Sequence, residues 1–582
     1  MTEDQAAPAP ADPAPAAAPA AAPFLNRALT RSARHGNWLL ALAALILWLP
    51  GILSLPALDR DESRFAQSSR QMLDSGNYVD IRFGQVPRYK KPAGIYWLQA
   101  ATTAVAGLGQ DRRIWTYRLP SLLGGIAALL LTFWAAGGAE LGLIAGRLLV
   151  ATLLLTAEAT MATTDAALLA ATTAMMAVLM RVYRAAKEDA PPPSTKLVLL
   201  GWAAMAAGIL LKGPVAPAVA AATIAALIAW DRDWKWLKQT KPLAGLGVTL
   251  LICAPWALAI AIQSHGAFFQ QSLGGDFAAK VAGGQEGHGA PPGYYLLFSA
   301  VTLWPSILFV LPGIGLGFTR RKEPMIRFLL AWAGAWWLAV ELVPTKLPNY
   351  VLPALPPLLI LSALWMLAPP EKEKGWRRVL PWIAALQFFI GLVLVTAAPA
   401  QLPKYYAALP APIWPAIAAA AALLAGLTAL LIFLMGRRLV AAIPAVAASA
   451  ILVLTLTAGV LPKLDQLWIT DGLAALVAKD SKPGDPPPSL AGYEEPSLVF
   501  ALGKDVNLTD GKGAAEWGAS RGGLALVDDA EMVGFLARLA EMQASAIAMD
   551  ERSGFNYSRG RPEHVMLYRV APLAPVPTPL SR

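Results

Sequence analysis

The chain has 582 residues, of which 56% are hydrophobic and 15% charged, with a mean hydropathy of +0.49. These values exclude a string of soluble domains and describe a polytopic membrane protein. A formal charge of +10 would suit a nucleic-acid binder, but the basic residues stand in short clusters between apolar runs, which is a topology signal and not a phosphate-binding face.

Residues 1 to about 23 are nearly all Ala and Pro with a few acids. They cannot bury a core, so they read as a disordered tail and not as a signal peptide. Arg27, Arg31 and Arg34 precede the first uncharged stretch and are expected to hold this tail, through residue 36, in the cytoplasm. A span length of about 20 residues gives thirteen candidates, near 38–57, 119–138, 147–163, 166–182, 197–211, 214–230, 243–262, 295–318, 327–343, 350–369, 379–398, 411–435 and 439–461. Cys253, the single cysteine, lies in one of these apolar runs, which excludes an intramolecular disulfide and favours an inert thiol. The 20 Trp residues read mostly as interfacial belts.

Ala93–Leu108 is apolar but only 16 residues long, and is expected to lie on the membrane surface. Counting it as a span would put the basic loops Arg181–Lys187, Arg232–Lys241, Arg320–Arg327, Lys372–Arg378 and Arg437–Arg438 on the outer side, against the positive-inside bias. The basic run Arg82–Lys91 stays outside under either count and needs another explanation. From Lys463 the chain turns polar, with a Pro-rich linker at 482–488, β-like runs at Ser497–Ala501 and Gly523–Val527 and a helical pattern at Asp529–Gln543. The expected organisation is a membrane region at 37–462, with a first outer loop at 58–118 and a flexible outer loop at 263–294, followed by a small outer α/β domain at 463–582.

The segment Asp59-Arg60-Asp61-Glu62-Ser63-Arg64-Phe65 follows the first span with three carboxylates and two guanidiniums. A helix exit needs an aromatic or a single Lys, whereas a cluster of ions costs desolvation unless it meets charged partners. The same face collects Arg88 and Lys91, Glu158 and Asp165, Lys212-Gly213-Pro214, Asp276, Lys280, Glu286 and His288, and Thr345–Tyr350. Ionic residues gathered at one membrane surface predict a site for an anionic, lipid-linked substrate. Asp61 is the expected general base, with Glu62 and Asp165 raising its pKa and Arg64 orienting it. Lys91, Lys212 and Lys346 suit a phosphate. Plainer roles compete: helix capping for Asp61, snorkelling for Lys91, terminal carbonyls for Lys212 and a structural ion pair for Asp165. Glu286 and His288 are too few for a metal site, so with Lys280 they read as an acceptor contact or lid.

Asp61–Ala66, Arg70–Tyr78 and Lys91–Leu98 resemble the "DE-x-R-Y-A … R-x-M-L-x-x-G-x-W … K-P-P-L-x-Y-W-L" signature of the polyprenyl-phosphate-sugar-dependent glycosyltransferases of the C superfamily. That group includes the lipid A aminoarabinose and protein O-mannosyl transferases. Arg118–Ser121, Asp165, Lys212–Pro214 and Lys346–Tyr350 extend the resemblance over about residues 38–460. Phe65, Tyr78 and Ala93 depart from the usual Tyr, Trp and second Pro, and the C-terminal domain is not covered.

The resemblance implies an all-α GT-C membrane fold of about thirteen helices. It implies inverting transfer of a sugar from a polyprenyl-phosphate donor to a lipid, glycan or protein acceptor, on the outer face of the inner membrane. It also implies catalytic roles for Asp61, Glu62 and Asp165, and donor-phosphate contacts from Lys91, Lys212, Lys346, Arg64 and Tyr350. The N-terminus would be cytoplasmic and the C-terminal domain periplasmic. No nucleic-acid partner or definite cofactor follows, and a divalent metal stays open. A lipid-linked oligosaccharide flippase would want midplane charges and an inverted repeat. A surface-polysaccharide polymerase or ligase shares the donor but usually lacks an Asp-Glu pair after the first span.

Overall fold

A computed structural model describes residues 36–107, 112–283, 289–369, 374–407 and 412–573. The first span, α1 (Gly36–Ser54), leads into α2 (Asp61–Ser75), a hairpin of β1 (Arg82–Phe83) and β2 (Val86–Pro87), and α3 (Gly94–Ala106). Helix α2 stops where Gly76 turns left-handed at φ 68° and donates its amide to the Met72 carbonyl at 2.9 Å. Helix α3 has 13 residues, about 20 Å of helix, too short to cross a hydrocarbon core of about 30 Å.

Next come α4 (Trp115–Ala135), α5 (Ala139–Ala151), α6 (Leu153–Thr160), α7 (Asp165–Lys187), α8 (Thr195–Lys212), α9 (Val215–Asp231) and α10 (Pro242–Gln263). The sequence predicts one span at 147–163, but the chain bends by 67° between α5 and α6. Thr152 and Ser306 both donate hydroxyls to the Leu148 carbonyl, at 2.7 and 2.8 Å, and the Leu153 amide donates to the Trp304 carbonyl at 3.0 Å. The peptide groups at the bend are thereby satisfied by protein, as lipid requires.

A helical segment at 267–282, π-helical over Gln270–Ala278, precedes α11 (Tyr294–Thr302), α12 (Ile307–Thr319), α13 (Pro324–Leu342) and a 3-10 turn, Pro348–Ala354. The turn feeds α14 (Leu355–Leu367), followed by α15 (Leu380–Tyr406), α16 (Trp414–Leu434) and α17 (Arg438–Leu454). Every predicted span falls on a helix or a broken helix. Among the described residues, however, ten helices are long and apolar enough to cross a membrane, or eleven counting the bent pair, and α9 and α12 are shorter than a full crossing. The chain is a multi-pass membrane protein. Glycines set its closest helix contacts: a Cβ on Gly124 of α4 would meet the Ala167 backbone of α7 at 2.6 Å, and one on Gly313 of α12 the Ser362 backbone of α14 at 2.7 Å.

Beyond α17 stands α18 (Ile469–Asp480) and then a five-stranded sheet with its helices. In chain order these are β3 (Ser489–Ala491), α19 (Pro496–Leu502), β4 (Asn507–Thr509), α20 (Gly511–Arg521), β5 (Gly523–Asp528), α21 (Asp529–Glu541), β6 (Ala546–Asn556) and β7 (Arg561–Val570). The spatial order is β4-β3-β5-β7-β6, with β3 parallel to β4 and β5, and β7 antiparallel to β5 and β6. Two expectations change here. The β-like run Ser497–Ala501 lies in helix α19, which Pro496 starts from the first helical position. The 482–488 stretch is no free linker, because Asp485 pairs with Arg569 at 3.0 Å and the Pro487 carbonyl accepts from the Trp517 indole at 3.1 Å.

Candidate active site

The acidic cluster opens α2. Arg60, just before it, has φ 64° and ψ −113°, a region that non-glycine residues rarely adopt. Asp61 and Glu62, neighbours in sequence, then take opposite roles. Glu62 is 2% exposed and forms a bidentate pair with Arg118, 0% exposed, at 2.8 Å on each oxygen. It also accepts the Leu58 and Ala162 amides at 2.8 and 2.7 Å. Arg118 in turn donates to the Ile52, Leu55 and Pro56 carbonyls. Glu62 therefore ties α1, α2, α4 and the turn after α6 together, with both carboxylate oxygens engaged.

Asp61 keeps 67% of its side chain open and lines a cavity of about 300 Å³ with Lys91, Glu158, Asp165, Lys212, Lys280 and Tyr350. These residues come from α2, the loop before α3, α6, α7, α8, the 267–282 segment and the 3-10 turn. Gly213, at φ 64°, ends α8 so that Lys212 projects from its last turn. Lys212 donates to Asp165 Oδ1 at 2.6 Å and lies 5.7 Å from the centre of the Tyr350 ring. Thr164 donates to the other Asp165 oxygen at 3.0 Å. Lys91 donates to Asp276 at 3.0 Å, and Lys280 to the same carboxylate at 2.8 Å.

Recessed in the cavity yet open to its interior, the Asp61 carboxyl would be pushed up by the loss of bulk water around it, but Arg88 and Arg64, with Lys91 and Lys212, outweigh this and hold the group below its ordinary value. This reverses the predicted rise: Glu62 is paired with Arg118, and Asp165 with Lys212. Arg88, 3.5 Å from Asp61 and stacked over Phe65, is nearer than the expected partner Arg64 at 3.9 Å. Burial draws Lys91 down to about 8 against the pull of Asp276. For Asp276 the balance goes the other way, burial being outweighed by Lys91 and Lys280, so its carboxyl sits low.

A second cavity, of about 350 Å³, shares Lys91 and Lys212 with the first. Its wall is otherwise largely apolar, with Leu210, Cys253, Trp256 and Phe268, and the exposed Phe269 and Leu273 stand at its rim. The two lysines thus stand at a seam between a polar chamber and a greasy one.

Lys346 does not join them. It is 3% exposed, lines neither cavity, and spends its protons on the carbonyls of Val340, Glu341 and Val343 at 3.0, 2.5 and 2.6 Å. This is the carbonyl-satisfying role weighed above for Lys212. Glu286 and His288 lie outside the described residues. Among the described residues no group of three or more His, Cys, Asp or Glu side chains could hold a metal ion. Sequence reading gathered Arg88 and Asp276 on the site's face and Arg118 in the motif, but gave none of the three a role.

Residues 90–258 match the family described as dolichyl-phosphate-mannose-protein mannosyltransferase. The undecaprenyl phosphate-α-4-amino-4-deoxy-L-arabinose arabinosyl transferase of Pectobacterium atrosepticum is 27% identical over 352 residues, 58% of each chain. The transferase of that name from Edwardsiella ictaluri is 29% identical over 332 residues, 56% of each chain. The chain thus aligns with less than two thirds of the length of these curated relatives. The crystal structure of ArnT from Cupriavidus metallidurans bound to undecaprenyl phosphate superposes with a TM-score of 0.69 at 20% identity, covering 91% of this chain and 97% of that one. The apo form of ArnT gives the same TM-score. The fold is GT-C, and the resemblance drawn from the motifs around Asp61 and Lys91 is borne out.

Proposed function

We propose, from the premise that this chain is a GT-C relative of the polyprenyl-phosphate-sugar glycosyltransferases, that it transfers a sugar from a polyprenyl-phosphate donor to a hydroxyl acceptor. The donor most in keeping with its relatives is an undecaprenyl phosphate aminosugar, and the acceptor a lipid of the lipid A type. The observation that carries this reading is the pair Lys91 and Lys212, shared by a polar and an apolar cavity with Asp61 on the polar side. A polyprenyl tail fits the apolar chamber, its phosphate the two ammonium groups, and its sugar the chamber that holds Asp61.

An ammonium group has three protons. Lys91 and Lys212 each give one to a carboxylate, leaving donors for a phosphate. Asp61, ionised because of its cationic neighbours, accepts the proton of the acceptor hydroxyl as that oxygen bonds to the anomeric carbon. The bond from the anomeric carbon to the phosphate oxygen breaks on the opposite face, its electron pair stays with the lipid phosphate, and the lysines stabilise the charge. One displacement inverts the anomeric centre. Asp165 holds Lys212 in place, and Tyr350 walls the chamber beside it.

We infer that the site opens on the outer face of the inner membrane, with the N-terminus cytoplasmic and the C-terminal domain periplasmic. The basic loops Arg181–Lys187 and Arg320–Arg327, at the helix ends away from the cavity, support this orientation. Asp61→Asn keeps the volume and removes the basic oxygen, so turnover of purified enzyme on undecaprenyl-phosphate aminoarabinose should fall by about 100-fold or more. Turnover within a few-fold of wild type would remove Asp61 from the role of base.

A further inference from the structure

On the α2 side, the strained turn ahead of Asp61 is held where Glu62 accepts the Leu58 amide at 2.8 Å and the Arg60 carbonyl accepts the Arg64 amide at 3.1 Å, while the Arg60 side chain makes no capping bond to the helix. The side chains of Asp59 and Arg60 and the Asp59 amide are held by the C-terminal domain. The Asp59 amide donates to the Tyr557 hydroxyl at 2.7 Å, the Ser497 hydroxyl donates to Asp59 Oδ1, and Arg60 Nη2 donates to the Ser558 carbonyl at 2.5 Å. Tyr557 and Ser558 sit on the turn between β6 and β7, and Ser497 in the first turn of α19. Two elements of one domain therefore grip two consecutive residues of a loop more than 400 positions away.

The grip is backed by packing. Phe500 of α19 meets Tyr117 of α4 edge to face at 5.5 Å, in a buried cluster with Ala66 of α2 and Ala162. Arg70 of α2 and Arg112 donate to the Phe500 and Ala501 carbonyls at 3.4 and 3.0 Å. Asp59 and Arg60 line the polar cavity, whereas Ser497 and Tyr557 do not.

We propose that the C-terminal α/β domain is a positioning device for the catalytic loop, in which Tyr557 and Ser497 hold Asp59 and Arg60 in the turn that aims Asp61 into the cavity. This rests on the reading of Asp61 as the base. Tyr557 and Ser497 are positioning residues that touch the loop and not the substrate. Their effect should fall on the chemical step, because a displacement of about 1 Å in a reacting group costs up to about 100-fold in rate.

The test uses the full-length chain in lipid nanodiscs with undecaprenyl-phosphate aminoarabinose as donor. Tyr557→Phe and Ser497→Ala should each lower kcat by about 10- to 100-fold, with KM for the donor within about twofold, and Ser497→Thr should restore the rate by returning the hydroxyl. Hydrogen exchange at the amides of residues 59–63 should accelerate in both deficient variants, while β5 and β7 stay protected. Arg569→Ala, which breaks the Asp485 pair elsewhere in the domain, should leave kcat per folded molecule unchanged. Unchanged exchange at 59–63 overturns the proposal whether or not the chain transfers a sugar, and so does faster exchange with an unchanged kcat. Absence of transfer by the wild type, with faster exchange in the variants, would retire the reading of Asp61 and leave the domain's grip on the loop established.

Discussion

Lys91 and Lys346 are both lysines of short polar motifs, and they differ in what their protons do. Lys346 has every proton taken by carbonyls at the end of α13, so Lys346→Ala should lower thermal stability in detergent by about 1–3 kcal/mol and leave kcat of the folded fraction intact. Lys91→Ala should instead cut kcat/KM for the donor by the worth of a charge-assisted contact, about 1.5–3 kcal/mol. Lys91, drawn down to about 8, carries its charge below that pH and loses it as pH rises through it. The pH profile of kcat/KM should therefore show an alkaline limb near 8 that Lys91→Arg moves upward. Asp61, held low, should contribute no acid limb above about pH 4. Asp61, Lys91 and Lys212 were legible because each stands in a short motif beside a span, where an unexplained charge is conspicuous. Arg88 and Asp276 were gathered on the same face, but their roles were not legible, since their partners are set by how the loops fold back over the cavity. The surroundings of Lys346 were illegible for the same reason: sequence shows a lysine near the membrane but not the carbonyls it faces.

Among elements, the junction of α1, α2 and α4 depends on Glu62 and Arg118. Removing one partner of a buried pair costs about 3–5 kcal/mol because the other charge is stranded. Glu62→Gln and Arg118→Met should each depress the unfolding temperature strongly, and the double variant less than the sum of the two. A Glu62→Gln protein that folds like wild type but loses turnover would return Glu62 to the reacting groups. The helices themselves were readable from apolar run length, and Pro242, Pro324 and Gly213 mark their ends. The bend at Thr152 was not readable, because the groups that satisfy it, Ser306 and the Trp304 carbonyl, lie about 150 residues away. Helix α19 was missed for a comparable reason: Ser-Leu-Val-Phe-Ala is a short apolar run of ambiguous period, and its seat against Tyr117 gives Phe500 a buried place.

At the scale of the molecule, the proposed orientation predicts that cysteines at the exposed positions 274 and 505 react with an impermeant maleimide in intact spheroplasts, in a Cys253→Ser background, while those at 187 and 321 react only after permeabilisation. Labelling at 187 in sealed cells would reverse the topology. The contact between domain and membrane region also has a pH dependence with a definite sign. Burial pushes Asp59 up to about 6 from 3.8, against the Ser497 and Tyr557 hydrogen bonds and Arg60, with Glu495 adding to the rise. The docked state thus binds this proton more tightly than the undocked one. Docking is favoured at low pH, weakens through the window from 3.8 to about 6, and is least favoured above it. Exchange at residues 59–63 should accordingly be slower at pH 5 than at pH 7.5, after correction for intrinsic rates. The seam marked by Lys91 and Lys212 has a kinetic consequence. A tail lodged in the apolar chamber enters and leaves sideways through the bilayer, so supply and product clearance are two-dimensional. Turnover should follow the mole fraction of donor among the membrane lipids, and diluting the donor with inert phospholipid should slow the reaction even when its amount per volume of suspension is unchanged.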